Sequence, residues 1–168
     1  FGCSEDSPVL PGDDPLQQES TLKSAHKPMT KLVGYTEETL WIDESSVPSQ
    51  PYSIGTITFD DYGTFGLVYK ILEMNQKENS KAMFLTETFY IFGMPEEDLT
   101  NDELVQLAMG DYLMSGTNSG VSPNGKMFVT NGEVSEAFGF FKGCAGRNVH
   151  VNGDIVGPMS FTSTFRVN

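Results

Sequence analysis

Long apolar runs are missing from this 168-residue chain. None approaches the roughly 20 residues that a helix needs to cross a bilayer, so no helical membrane span is expected. No apolar core of a secretory signal is present either, which makes the chain mature, truncated or never targeted. Positive charge is scarce: 10 Lys and Arg stand against 23 Asp and Glu, for a net charge of −13. That balance argues against nucleic acid and against an anionic membrane surface as partners. Its plain meaning is solubility; its functional meaning would be docking on a basic partner. There are 2 His and 2 Cys in the chain, and without a spaced His/Cys cluster no metal site is expected. Neither a Gly-X-Gly-X-X-Gly turn nor a Walker loop is present, so no nucleotide cofactor is expected. Cys3 and Cys144 are the only cysteines. They could be bridged, tying the N-terminal segment to the rest, or stand as two thiols; spacing leaves both open. Asn-X-Ser/Thr is absent, so nothing points to N-glycosylation.

What remains is a β-rich pattern after an irregular start. Residues 1–50 are broken by Pro8, Pro11, Pro15, Pro28 and Pro48, with Ser and acids between. Such a segment buries too little apolar surface to offset its own ordering, so its own barrel or a partner surface must hold it. Residues 31–43 within it read as a first strand, with Trp41 as a core or rim anchor. From residue 51 on, short apolar alternations recur between turn signals. Ile54 to Phe59, Phe65 to Met74, Met83 to Phe92 and Met159 to Val167 read as strands. Asp60-Asp61-Tyr62-Gly63, Ser122-Pro123-Asn124-Gly125, Asn131-Gly132 and Asn152-Gly153-Asp154 read as turns, and Ser115 to Gly120 as a loop. Met94 to Gly110 forms an insertion. Thr100 and Glu103 make a capping box ahead of Leu104, Val105, Leu107 and Ala108, so a short helix is expected there. Strands without long helices favour a mainly β fold: a closed antiparallel β-barrel of about eight strands, with one short helix and a long irregular N-terminal extension. The domains are then an extension over 1–50 and a barrel over 51–168.

The stretch from Lys126 to Asn152 carries a family likeness. Val129-Thr130-Asn131-Gly132, then Phe141-Lys142-Gly143-Cys144-Ala145-Gly146 leading into a strand, resembles the allene oxide cyclase and dirigent barrels. Asn131 stands where that pattern has a first Gly. The likeness extends more weakly over Ile54 to Val167. It implies a closed barrel, and in the family's cyclases an unstable apolar epoxide held inside it, with a Glu that steers charge. Those cyclases take a Glu and an Asn from a first strand shaped Tyr-Glu-X-Asn. Tyr35-Thr36-Glu37-Glu38 is the nearest stretch here, with Glu37 in the Glu place, no Asn, and no Ser-Pro at the right distance.

Glu87 is the second candidate acid. It shares a strand face with Met83, Leu85, Phe89 and Ile91, and so interrupts an apolar row. Inward, it would be desolvated, with its pKa raised unless paired, and able to act as acid, base or anchor. Outward, or paired with Arg147 or Arg166, it would be structural. Trp41, Phe89, Phe138 and His150 are candidates to line an apolar ligand. A lone His such as His150 is as well explained by a structural hydrogen bond.

These features support three roles. The first is a non-catalytic interaction module, an accessory subunit docked on a larger assembly through residues 1–50 and the helix at 100–110. The second is an isomerase or cyclase for an oxidised lipid or polyene, using Glu37 or Glu87. The third is a carrier of an apolar small molecule. The opening Phe1-Gly2 resembles the cleavage site of plastid proteins in algae with red-derived plastids, which implies a plastid location and a photosynthetic complex as the assembly; the dirigent likeness implies secretion instead.

Overall fold

The computed structural model describes residues 31–168. Eight strands, β1 (Leu32–Asp43), β2 (Gln50–Phe59), β3 (Gly63–Gln76), β4 (Met83–Phe92), β5 (Tyr112–Ser122), β6 (Met127–Ala137), β7 (Asn148–Gly157) and β8 (Ser160–Val167), follow one another in space as in sequence. Every neighbouring pair is antiparallel, and β8 pairs back onto β1, for example Leu32 with Val167 and Thr39 with Ser160. The sheet is therefore a closed barrel without an edge. β1 belongs to it in full, so the barrel begins at Leu32 rather than at residue 51. The extension before it, Cys3 included, lies outside the described residues.

The two ends of the barrel differ. At one end, the segment after β6 winds into a 3-10 helix (Gly139–Cys144) that pushes Phe141 into the barrel. Phe141 packs its ring on Phe59 and Phe65 at centroid distances of 5.7 and 5.3 Å, and both Phe141 and Cys144 are fully buried. Leu67, Phe89, Ile91, Met114, Val151 and Phe165 fill the interior above this plug. At the other end, the short β1–β2, β3–β4, β5–β6 and β7–β8 connections leave the interior open.

The helix α1 (Asn101–Gly110) starts at the expected capping box: the Thr100 side chain accepts from the Glu103 amide, and Glu103 accepts from the Thr100 amide. It lies against the outside of the barrel. Val105 and Ala108 join Val68, Phe92 and Tyr52 in a second buried cluster, edged by Trp41 and Ile54. The helix is thus packed on its own barrel and covers neither opening.

Two turn expectations and one loop expectation are corrected. Asn131-Gly132 lies in the middle of β6, Asn152-Gly153-Asp154 lies inside β7, and Ser115 to Gly120 is part of β5. The glycines there serve close approach of strands rather than reversal. A Cβ on Gly132 would stand 1.6 Å from the Thr117 carbonyl oxygen, and one on Gly116 2.1 Å from that of Glu133. In a narrow barrel, backbones crowd where the sheet bends most, and only glycine fits.

Candidate functional site

The inward row of each strand changes character halfway along. Near the plug it is apolar; at mid-barrel it turns polar. β1 brings Thr36 and Glu38, β2 Ser53, β3 Tyr69, β4 Glu87, β5 Asn118, β6 Thr130 and β8 Ser163, and every one of these side chains is buried. Beyond this belt the walls become apolar again through Leu40, Ile71, Met74, Leu85, Phe128 and Phe161. They enclose a cavity of about 610 Å³ whose floor holds Glu38, Ser53, Tyr69, Glu87 and Thr130. Pockets of about 300–1,000 Å³ suit a single small organic ligand.

β3 reaches this geometry through a bulge. The register shifts between Ile71 and Glu73, where the strand carries one residue more than β4, so Leu72 faces out at the surface and Met74 returns to the inward row opposite Leu85.

The two buried acids sit in unlike surroundings. Glu38 accepts hydrogen bonds from Thr36 (2.6 Å, Oγ1 to Oε1) and from Ser53 (2.9 Å, Oγ to Oε2). Thr36 also meets Ser163 across the β1–β8 seam, at 2.7 Å between hydroxyls. Burial raises the Glu38 pKa, and the two hydroxyl donors partly oppose that rise. Glu87 has less help. Burial first, then the charge of Glu38, push its pKa up to about 8, with Asn118 easing the shift. Asn118 faces Glu87 directly across β4–β5, yet neither polar atom of its carboxamide completes a hydrogen bond. Asn118 therefore acts on Glu87 mainly as a nearby dipole. The two hydroxyl donors favour the Glu38 carboxylate form, whereas Glu87, pushed up to about 8, is a neutral acid at pH 7 that can donate.

Tyr69 lies between them. It pairs with Ser53 across β2–β3, and it stands diagonal to Glu87 across β3–β4, where Tyr69 faces Phe89 and Glu87 faces Ile71. Diagonal neighbours of a sheet are within reach of long side chains. Burial holds the phenol well above its ordinary pKa, with the charges of Glu38 and Glu87 adding to the rise. The Tyr69 hydroxyl is buried without a hydrogen-bond partner, and so is that of Thr130.

Of the residues singled out from sequence, Glu87 is where the inward reading puts it, with Glu38 rather than an arginine as the charge that acts on it. Phe89 is inward and fully buried, but it packs below the floor, edge-on to Phe165 at 5.3 Å and to Tyr69 at 6.4 Å. It supports Tyr69 instead of lining the cavity. Glu37 is exposed on the outer face, because β1 alternates and places Glu38 inside. Trp41 stacks on Tyr52 outside the barrel, at 5.7 Å, beside α1. Phe138 precedes the 3-10 helix, half exposed against Tyr112 on the outside. His150 faces outward from β7 and holds Asn131 of β6 through Nδ1 and Oδ1 at 2.7 Å, the structural hydrogen bond.

Sequence reasoning missed Glu38, Ser53, Thr130 and Asn118. A signal existed for Glu38: Leu32, Gly34, Thr36, Glu38 and Leu40 form one alternating row, and an acid between Leu32 and Leu40 breaks it as Glu87 breaks its own. Asn118 was concealed by its Ser- and Gly-rich setting, which has the composition of a loop. Among the described residues no group of three His, Cys, Asp or Glu could hold a metal ion, and no helix is long and apolar enough to cross a membrane. Comparison with family models, with curated proteins and with solved structures returns no match to this chain.

Proposed function

We propose that the barrel is an isomerase or cyclase for an apolar, oxygen-bearing small molecule, of the kind an oxidised lipid or polyene provides. The observation that carries this reading is the pair of buried glutamates, Glu38 and Glu87, at the floor of an otherwise apolar cavity. Burying two carboxyls in one cavity opposes folding, and a purely structural barrel would gain by replacing them with apolar side chains. Their unlike hydrogen bonding gives one acid and one base within a single site, the arrangement that proton-shifting chemistry needs. The walls would hold a flexible substrate in one conformation and lower the entropic part of the barrier. The likeness to allene oxide cyclase and dirigent barrels points the same way, now with Glu38 rather than Glu37 as the acid on the first strand.

The test is to incubate the protein with a panel of unsaturated epoxides and oxidised fatty acids, and to search for products of unchanged mass. Glu38→Gln and Glu87→Gln should each reduce turnover by about 10²-fold or more, the range of a lost general acid or base. Both should leave uptake of an apolar ligand nearly intact. Equal turnover in wild type and both variants would remove the proposal. The accessory-subunit reading, with its plastid setting, rests on the extension over 1–50; of that segment residues 31–50 are described, and they form β1, the connection to β2 and the start of β2 in the barrel.

A further inference from the structure

We infer that the cavity floor is a carbonyl site, in which Tyr69 and Glu87 donate hydrogen bonds to the oxygen of an apolar ketone or enone while Glu38 serves as base for the carbon beside it. This rests on the reading above that the cavity takes an apolar, oxygen-bearing ligand, and it names the functional group that the ligand must carry.

Three observations lead there. First, Tyr69 is a lining residue of the cavity, and its buried hydroxyl has no hydrogen-bond partner in the protein. A buried hydroxyl is seldom left so, and this one is a donor with its bond still to make at the edge of the ligand space. Secondly, the sheet register places Glu87 diagonal to Tyr69, so adjacent strands bring two potential donors to neighbouring positions of the cavity lining. Thirdly, Glu38 is held on the neighbouring side by Thr36 and Ser53, and Ser53 is itself the cross-strand partner of Tyr69. A base with both oxygens anchored thus stands on β1, with β2 between it and the donor pair on β3 and β4. A phenol and a neutral carboxyl aimed at one oxygen, with a separate carboxylate as base, is a known solution for stabilising a developing enolate.

The reaction balances without a co-reactant. With a β,γ-unsaturated ketone as substrate, the Glu38 carboxylate takes a proton from the α-carbon between the carbonyl and the double bond. The electron pair of that C–H bond becomes a carbon–carbon double bond to the carbonyl carbon, and the carbonyl π pair moves onto oxygen, where Tyr69 and Glu87 stabilise the dienolate. As the carbonyl re-forms, that double bond shifts to the α,β position and the former β,γ π pair takes the proton back from Glu38 at the γ-carbon. The double bond has migrated, and the product is an isomer of the substrate.

The test compares a naphthol, whose hydroxyl resembles an enol, with its methyl ether, which fills the same space but cannot present an anionic oxygen. Binding is followed by fluorescence on the full chain. The naphthol should bind wild type on the order of tenfold or more tighter than the ether, the share of a charge-assisted hydrogen bond. Tyr69→Phe and Glu87→Met should each lose most of that preference, read as the naphthol-to-ether affinity ratio within the same variant. If the ether binds and the naphthol shows no advantage in wild type, the carbonyl site is overturned and the cavity reading stands. If neither compound binds, both fall. The wild-type ratio decides the matter even where a variant fails to fold.

Discussion

At the scale of single residues, two glutamates of equal intrinsic acidity come to differ because of what surrounds them. Glu38 has two hydroxyl donors on its oxygens; Glu87 has a nearby amide dipole and a like charge. The Glu87 pKa of about 8 lies above its ordinary 4.5, so the folded chain holds a proton that the unfolded chain has already shed. The stabilisation from that proton is complete below about pH 4.5 and is lost as pH rises through 8. Glu87→Gln keeps the shape and removes the titration. Wild type should therefore lose roughly 1 kcal/mol per pH unit relative to Glu87→Gln over that interval, with the variant the more stable at pH 9. Urea unfolding of both proteins from pH 5 to pH 9 measures this difference. Parallel curves would place the Glu87 carboxyl in solvent.

At the scale of elements, β5 and β6 show what a sequence conceals. Ser115-Gly116-Thr117-Asn118-Ser119-Gly120 and Asn131-Gly132 have turn composition, yet they form the strands with the tightest backbone approach. The glycines were visible as punctuation, but whether a glycine reverses a chain or lets two strands crowd depends on partners that sequence spacing does not supply. The apolar alternations of β3, β4 and β8, and the capping box of α1, were legible because each is a local pattern. The polar belt was only partly so: Glu87 interrupts a long apolar row, whereas Glu38 and Asn118 sit in rows whose small residues blur the period. Gly132→Ala should cost about 1–3 kcal/mol, from a methyl forced onto the Thr117 carbonyl. Gly110→Ala, with no atom within 4 Å of the added carbon at the end of α1, should gain about 0.5–1 kcal/mol. Chemical denaturation of the two variants tests whether close approach, rather than glycine content as such, sets these positions.

At the scale of the whole molecule, the barrel works because its ends are unequal. Phe141 and the 3-10 helix close one end, and α1 braces the outside, which leaves one entrance and one floor. Phe141→Ala should cost about 3–5 kcal/mol, read from the shift in the urea midpoint, because the plug supports the core beneath the acids. The proposed chemistry needs a neutral carboxylic acid at the floor of the apolar cavity. A pH titration of the glutamate side-chain carboxyls by carbon-detected NMR reads that state directly, with and without an apolar compound filling the cavity. The expected result is one carboxyl that is still protonated at pH 7, titrates near pH 8, is absent from Glu87→Gln, and shifts further upward when the cavity is filled and solvent leaves. If every glutamate carboxyl loses its proton below pH 6 and none responds to the added compound, the acid is neither buried nor at a binding site, and the account fails.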